Sequence, residues 1–238
     1  MTDLKHILII DIETVGIVPD YSSLDPRIRS EWDRKSGFLK NDENQSPEEL
    51  FNTRAGIYSE FGKIVCIGVG YFNNNENGKL SLRIKAIYGD DEKQLLLEFK
   101  ELVEKRFDPR KTYLCAHNGK EFDFPYICRR LLINGISLPS ILDMSSKKPW
   151  EINHIDTMDL WKFGDRKSYT SLELLAAIFN IGSSKGEMDG SLVNQVYYQE
   201  KNLEKIKDYC LQDVIVTANL FLKLKCLPVI EPENIIKA

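Results

Sequence analysis

The chain has 238 residues, of which 42% are hydrophobic and 29% charged, with a net charge of −4. That mixture is enough to bury a sizeable core and excludes a disordered chain. The acidic balance excludes a basic coat for duplex nucleic acid, because such a coat draws its affinity from phosphate contacts. At this length the expectation is one domain over 1–238 that carries an insertion at about 16–62.

His6 to Ile12 is a short β-branched apolar run and reads as a buried strand. Residues 16–62 contain Pro19, Pro26 and Pro47, many charges and little periodicity, so they read as an insertion of loops and short helices that could form a lid, a substrate groove or a partner surface. KIVCIGVGYF (63–72) and LSLRIKAIY (80–88) read as two strands of a hairpin, joined through the breaker run NNNENG. Asp90 or Asp91 can cap a helix reaching about Lys105, with Leu95, Leu96, Phe99, Leu102 and Val103 on one face. TYLCAH (112–117) reads as a fourth strand, followed by a turn at Asn118-Gly119 and a helix from about Phe122 to Ile133.

A fifth short strand is expected within 153–160, and a helix capped by Ser171 over 171–180. A Gly- and Ser-containing loop covers 184–191, and a long helix runs from about Leu203 to Leu224. Three strands followed by alternating helices and strands predict a mixed central sheet with helices on both faces. The five cysteines (Cys66, Cys115, Cys128, Cys210, Cys226) are scattered without CxxC spacing, as expected for reduced thiols in the cytoplasm. No run approaches the roughly 20 apolar residues of a membrane span, so no membrane partner is expected.

Asp11 and Glu13 stand two apart at the end of the first strand, and a period of two points both carboxylates to one face. Taken alone, the pair also fits a solvated strand end. Asp123 lies beyond the fourth strand in HNGKEFDFP, where a simple helix cap would also account for it. Tyr209 and Asp213 lie one turn apart on the last helix. Together the four carboxylates supply the oxygen ligands that hard divalent cations prefer. Two such ions roughly 4 Å apart can clamp the attacking and leaving oxygens of one phosphate.

With these residues the chain resembles the DEDD superfamily of 3′–5′ exonucleases, which has a ribonuclease H-like α/β fold. DIET (Asp11 to Thr14) looks like the first motif of that superfamily, and Asn118, Phe122 and Asp123 look like the second. Tyr209 and Asp213 look like the third, in its Tyr variant; Asp208 precedes Tyr209, and no His lies near Asp213 on that helix. HIDTMDLW, SLELLAAIFNI, DGSLVNQVYY and YCLQDV bring the chain nearer to stand-alone proteins similar to the proofreading exonuclease domain of family B DNA polymerases.

The resemblance implies hydrolysis of phosphodiester bonds at the 3′ end of single-stranded or unpaired nucleic acid, DNA being favoured over RNA, with release of nucleoside monophosphates. It implies two cations, Mg or Mn: Asp11, Glu13 and Asp213 on one, Asp11 and Asp123 on the other. Tyr209 would orient the attacking water, Thr14 and Asn118 would contact the terminal nucleotide or orient the carboxylates, and Phe122 would pack near the terminal bases, although it is equally well placed for the core. The alternative is a catalytically silent nucleic-acid-binding or polymerase-docking module of the same fold.

Other features read as structure. His117, His154 and Asp156 are taken as structural, and Trp150 and Trp161 as packing residues. Lys147-Lys148, Arg129-Arg130 and Arg166-Lys167 are taken as solvated pairs. Lys185, in a loop, could reach a phosphate.

Overall fold

The computed structural model describes residues 3–40, 43–76, 78–165, 169–183 and 188–237. The basic pair Arg166-Lys167 and Lys185 lie outside these residues. The elements, in chain order, are β1 (Ile7–Gly16), α1 (Pro26–Ser36), α2 (Pro47–Arg54), β2 (Gly62–Asn74), β3 (Leu80–Tyr88), α3 (Glu92–Arg106) and β4 (Tyr113–Ala116). They continue with α4 (Asp123–Ile133), β5 (Ile155–Asp156), α5 (Thr157–Lys162), α6 (Leu172–Phe179), α7 (Val193–Gln195), a π turn at Val196–Glu200, α8 (Leu203–Leu224) and β6 (Ile235–Lys237).

Among the described residues, six strands form one mixed sheet in the order β5-β4-β1-β2-β3-β6. β2 pairs antiparallel with both β1 and β3, whereas β4 pairs parallel with β1 and with β5. Alternation along β1 divides the core. Leu8, Ile10 and Ile12 face α3 and α4, while Ile7 and Ile9 face α8 through Leu211, Val214, Ala218 and Leu222. Helices therefore cover both faces, as the order of elements predicts.

The expected caps are present. Asp91 accepts the amide of Gln94 at the start of α3, and Ser171 that of Leu174 at the start of α6. Three parts depart from the sequence reading. The fifth strand has two residues, because Asp156 caps a helix that begins at Thr157. Residues 193–200 are helical. The C-terminal β6 adds a parallel edge to β3, a short pairing that an isolated apolar triplet does not announce.

The segment between β1 and β2 has a small core of its own. Trp32 is fully buried among Leu24, Leu50, Phe51, Ala55 and Phe61, and its Nε1 donates to the carbonyl of Pro47 at 2.7 Å. A short 3₁₀ turn at Ala55–Ile57 rests against the end of β1. There the hydroxyls of Thr14 and Tyr126 both donate to the Gly56 carbonyl, at 2.7 and 2.8 Å.

Candidate active site

Asp11 and Glu13 share the parity of Ile7 and Ile9, so their side chains point toward α8. Beside β1, β2 carries Gly68, paired with Asp11, and Gly70, paired with Ile9. A Cβ on Gly68 would stand 2.8 Å from Val214 Cγ2 and 2.9 Å from Cys210 Sγ, and one on Gly70 would stand 2.7 Å from Val214 Cγ1. The two glycines thus let α8 lie flush on the sheet, which brings Tyr209, Cys210 and Asp213 over the carboxylates of β1. The far end of β1 is tied down by the segment before α8. Asn194 Oδ1 accepts the Gly16 amide at 3.0 Å, and the Tyr198 hydroxyl donates to the Gly16 carbonyl at 2.6 Å.

Asp123 enters from the other side as the first residue of α4. The chain leaves β4 through Asn118, whose φ of 62° is left-handed, as Asn tolerates. The Asn118 carbonyl then accepts the amides of Glu121 at 3.2 Å and Phe122 at 3.0 Å. All of this stands at the carboxyl ends of the parallel strands β1, β4 and β5, where α/β sheets place their ligand sites.

Glu13, Asp123 and Asp213 are buried, at 6, 4 and 8% exposure. Burial pushes the Asp11 carboxyl well up from its ordinary range, and the neighbouring charges of Asp213, Glu13 and Asp123 push it further. Burial raises Glu13 as well, helped by Asp213, Cys66 and Asp123. Asp123 is pushed up to about 7 by burial, with Asp156 and Asp213 adding to the effect and the amides of Asp123 and Ile12 opposing it. The Tyr209 phenol is raised by burial and by Asp213, to which its hydroxyl donates, so it stays protonated at neutral pH.

This electrostatic frustration fits a cation. Like charges crowd together here, and the Asp11 Oδ2 atom is buried with no hydrogen-bond partner among the described residues. Ligand atoms of Asp11, Glu13 and Cys210 lie within 4.8 Å of one another. Asp123 and Asp213 stand outside this tight trio yet are close enough to act on Asp11 electrostatically. The sequence reading did not include Cys210, whose thiol donates to the Asp11 carbonyl at 3.6 Å. Its place directly after Tyr209 was the available signal.

Other sequence expectations fall as follows. The Thr14 hydroxyl is committed to Gly56 rather than to a carboxylate, and Phe122 is partly buried against the core, 5.3 Å from the Tyr126 ring. His117 is structural: Nε2 donates to the Thr170 carbonyl at 2.9 Å, leaving Nδ1 to accept from the Thr157 hydroxyl at 2.8 Å. His154 is held similarly, between the Leu114 amide and the Ile141 carbonyl.

Two readings are corrected. Arg130 is not solvated: it is buried and paired with Glu92, because α4 turns that face onto α3. Trp150 does not pack; it is 75% exposed, with Lys148 over its ring. Trp161 does pack, edge-on to Phe179.

Comparison with known proteins agrees with this architecture. Residues 57–230 match the model of a family described as a predicted 3′–5′ exonuclease related to the exonuclease domain of PolB. The chain belongs to that family. Asp123, Tyr209 and Asp213 lie within the matched span, and Asp11 and Glu13 precede it.

The chain is 24% identical over 177 residues to a DNA polymerase of Thermococcus aggregans (68% of this chain, 10% of that protein). It is 27% identical over 179 residues to DNA polymerase 1 of Pyrococcus abyssi (68% and 22%). Over 140 residues it is 26% identical to the catalytic chain of DNA polymerase epsilon from Eremothecium gossypii (56% and 6%). The alignments thus span between 6% and 22% of these relatives' length. The family B DNA polymerase of the archaeon Pyrobaculum calidifontis superposes with a TM-score of 0.58 at 14% identity, covering 92% of this chain and 24% of that one. The fold is the ribonuclease H-like fold of polymerase exonuclease domains.

Proposed function

We propose that this chain hydrolyses the terminal phosphodiester bond at the 3′ end of single-stranded or unpaired nucleic acid, DNA in preference to RNA, releasing nucleoside monophosphates. The observation that carries this reading is the cluster of half-buried Asp11 with buried Glu13, Asp123 and Asp213 beside Tyr209, Asp11 Oδ2 having no hydrogen-bond partner among the described residues. Asp11, Glu13 and Asp213 would hold one divalent cation, and Asp11 with Asp123 a second, Mg or Mn. When bound, such ions lower the pKa of a water and neutralise charge on the phosphate.

The residues of the chain divide the remaining work. Asp11 is shared by the two cation positions. Burial first, and then the neighbouring carboxylates, keep Tyr209 neutral, so it would orient the attacking water rather than act as the base. Thr14, on β1, and Asn118, in the turn after β4, would contact the terminal nucleotide. The five free cysteines suit a reducing compartment, the cytoplasm. No helix among the described residues is long and apolar enough to cross a membrane.

The test is gel analysis of 5′-labelled single-stranded DNA and RNA with Mg, with Mn and with chelator, beside Asp11→Ala. The expected result is a ladder shortening from the 3′ end that needs both metal and Asp11. Shortening that persists in chelator would overturn the two-cation reading. Failure to shorten either substrate would move the assignment to nucleic-acid binding or polymerase docking.

A further inference from the structure

Asp156, the last residue of β5, is 3% exposed, and its carboxylate gathers four backbone amides from two directions. Oδ1 accepts from Met158 at 2.9 Å and Asp159 at 3.4 Å, the ordinary cap of α5, and from Asn118 at 3.0 Å. Oδ2 accepts from Lys120 at 3.1 Å. A cap alone needs one oxygen. The second oxygen and the additional bond to the first reach across to the turn that delivers Asp123. That use explains the residue type, because a carboxylate has acceptors on both oxygens and no donor, whereas an amide would turn an N–H toward one of these N–H groups.

The turn has little slack of its own. Asn118 is left-handed, its carbonyl holds Glu121 and Phe122, and the Gly119 carbonyl accepts the amide of Phe124 at 2.9 Å. A Cβ on Gly119 would stand 2.4 Å from that of Ala116, so the turn is pressed against β4. Only Glu121 and Phe122 stand between Lys120 and Asp123, and their amides are both held within the turn. Where Asp156 holds the turn, Asp123 follows.

We propose that Asp156 is a positioning residue. It fixes the Asp123 carboxylate and Asn118 against β1 without touching cation or substrate. This rests on the cation assignment made under Proposed function. Losing a hydrogen-bonded partner behind a metal ligand costs about 10–100-fold in affinity or activity, and the loss should fall on one cation position.

The test compares wild type, Asp156→Asn and Asp159→Asn for Mn2+ binding by calorimetry, for kcat and KM on a single-stranded oligonucleotide, and for amide exchange at Asn118 and Lys120. Asp159→Asn removes only the surface ion pair with Lys120 Nζ (3.4 Å) and should match wild type. In Asp156→Asn the weaker Mn2+ equivalent should loosen about 10–100-fold and kcat should fall in step. The tighter equivalent and KM should hold, and both amides should exchange faster.

Wild-type Mn2+ binding and kcat in Asp156→Asn would overturn the inference, and so would equal loss of both equivalents. If wild type binds Mn2+ but cleaves nothing, the exonuclease reading fails while the unequal Mn2+ response still judges Asp156. If wild type binds no Mn2+, the cation assignment fails, and unchanged amide exchange in Asp156→Asn would then overturn the positioning role.

Discussion

Replacing Asp123 by Asn should stabilise the metal-free protein, and the gain should grow with pH. In the folded chain the Asp123 carboxyl is pushed up to about 7, chiefly by burial, against an ordinary value of 3.8. The folded state therefore binds this proton more tightly than the unfolded chain does. Its contribution to stability is fully present below about 4 and is lost as pH rises through about 7. At about 1.4 kcal/mol for each tenfold change in proton affinity, the span from 3.8 to about 7 corresponds to about 4 kcal/mol as an upper bound. A chain of this size shifts its Tm by roughly 2–4 °C per kcal/mol, so the full effect is on the order of 10 °C.

The assay is thermal unfolding in chelator from about pH 4 to 8, wild type against Asp123→Asn. Surface carboxylates held low by neighbours, such as Glu101 and Asp108, affect both proteins alike and cancel in the difference. The variant should gain on wild type steadily up to about pH 7 and then level off. Added Mn2+ should reverse the order, because cation binding needs the ionised ligand. Parallel curves across this range in chelator would refute the picture of a strained carboxylate cluster.

Three further outcomes are expected. Tyr209→Phe should lower kcat by about 10–100-fold with Mn2+ affinity unchanged, since the hydroxyl orients water rather than a cation; single-turnover kinetics and calorimetry check the two halves, and a wild-type rate would leave Tyr209 as packing. Gly68→Ala should cost about 1–3 kcal/mol by denaturant unfolding, because its Cβ meets Val214 and Cys210 at 2.8 and 2.9 Å, and it should slow cleavage by lifting α8; full activity would show that α8 need not lie so close. Glu92→Gln should cost about 3–5 kcal/mol in the same assay, because it leaves buried Arg130 without its charge partner and disturbs the bond from the Ile64 amide (2.7 Å); a loss below about 1 kcal/mol would mean that Arg130 finds other partners.

Strands β1, β2 and β3 were legible because they are long apolar, β-branched runs, and the main helices because they carry caps and apolar faces. Those signals are local, and Asp91, Ser171 and the span Leu203–Leu224 carry them without reference to the rest of the chain. Parity along β1 was equally local, so the common face of Asp11 and Glu13 followed from their spacing alone. The reverse holds for Arg130 and Trp150. One is buried on Glu92 and the other exposed because of where α4 and the loop before β5 sit, and no window of sequence contains that information.

Asp156 read as a residue in a strand because the two-residue strand and the cap that ends it share one apolar stretch. Its reach to Asn118 and Lys120 exists only once β5 lies beside β4. The sequence by itself determined the elements, the residue types able to bind a hard cation and the face on which the first two carboxylates lie, since each depends on neighbours within a turn or a strand. The tertiary structure alone decided that Gly68 and Gly70 admit α8, that Cys210 joins the carboxylates and that Asp156 holds the turn before Asp123, because each joins groups separated by 36 to 199 residues of chain.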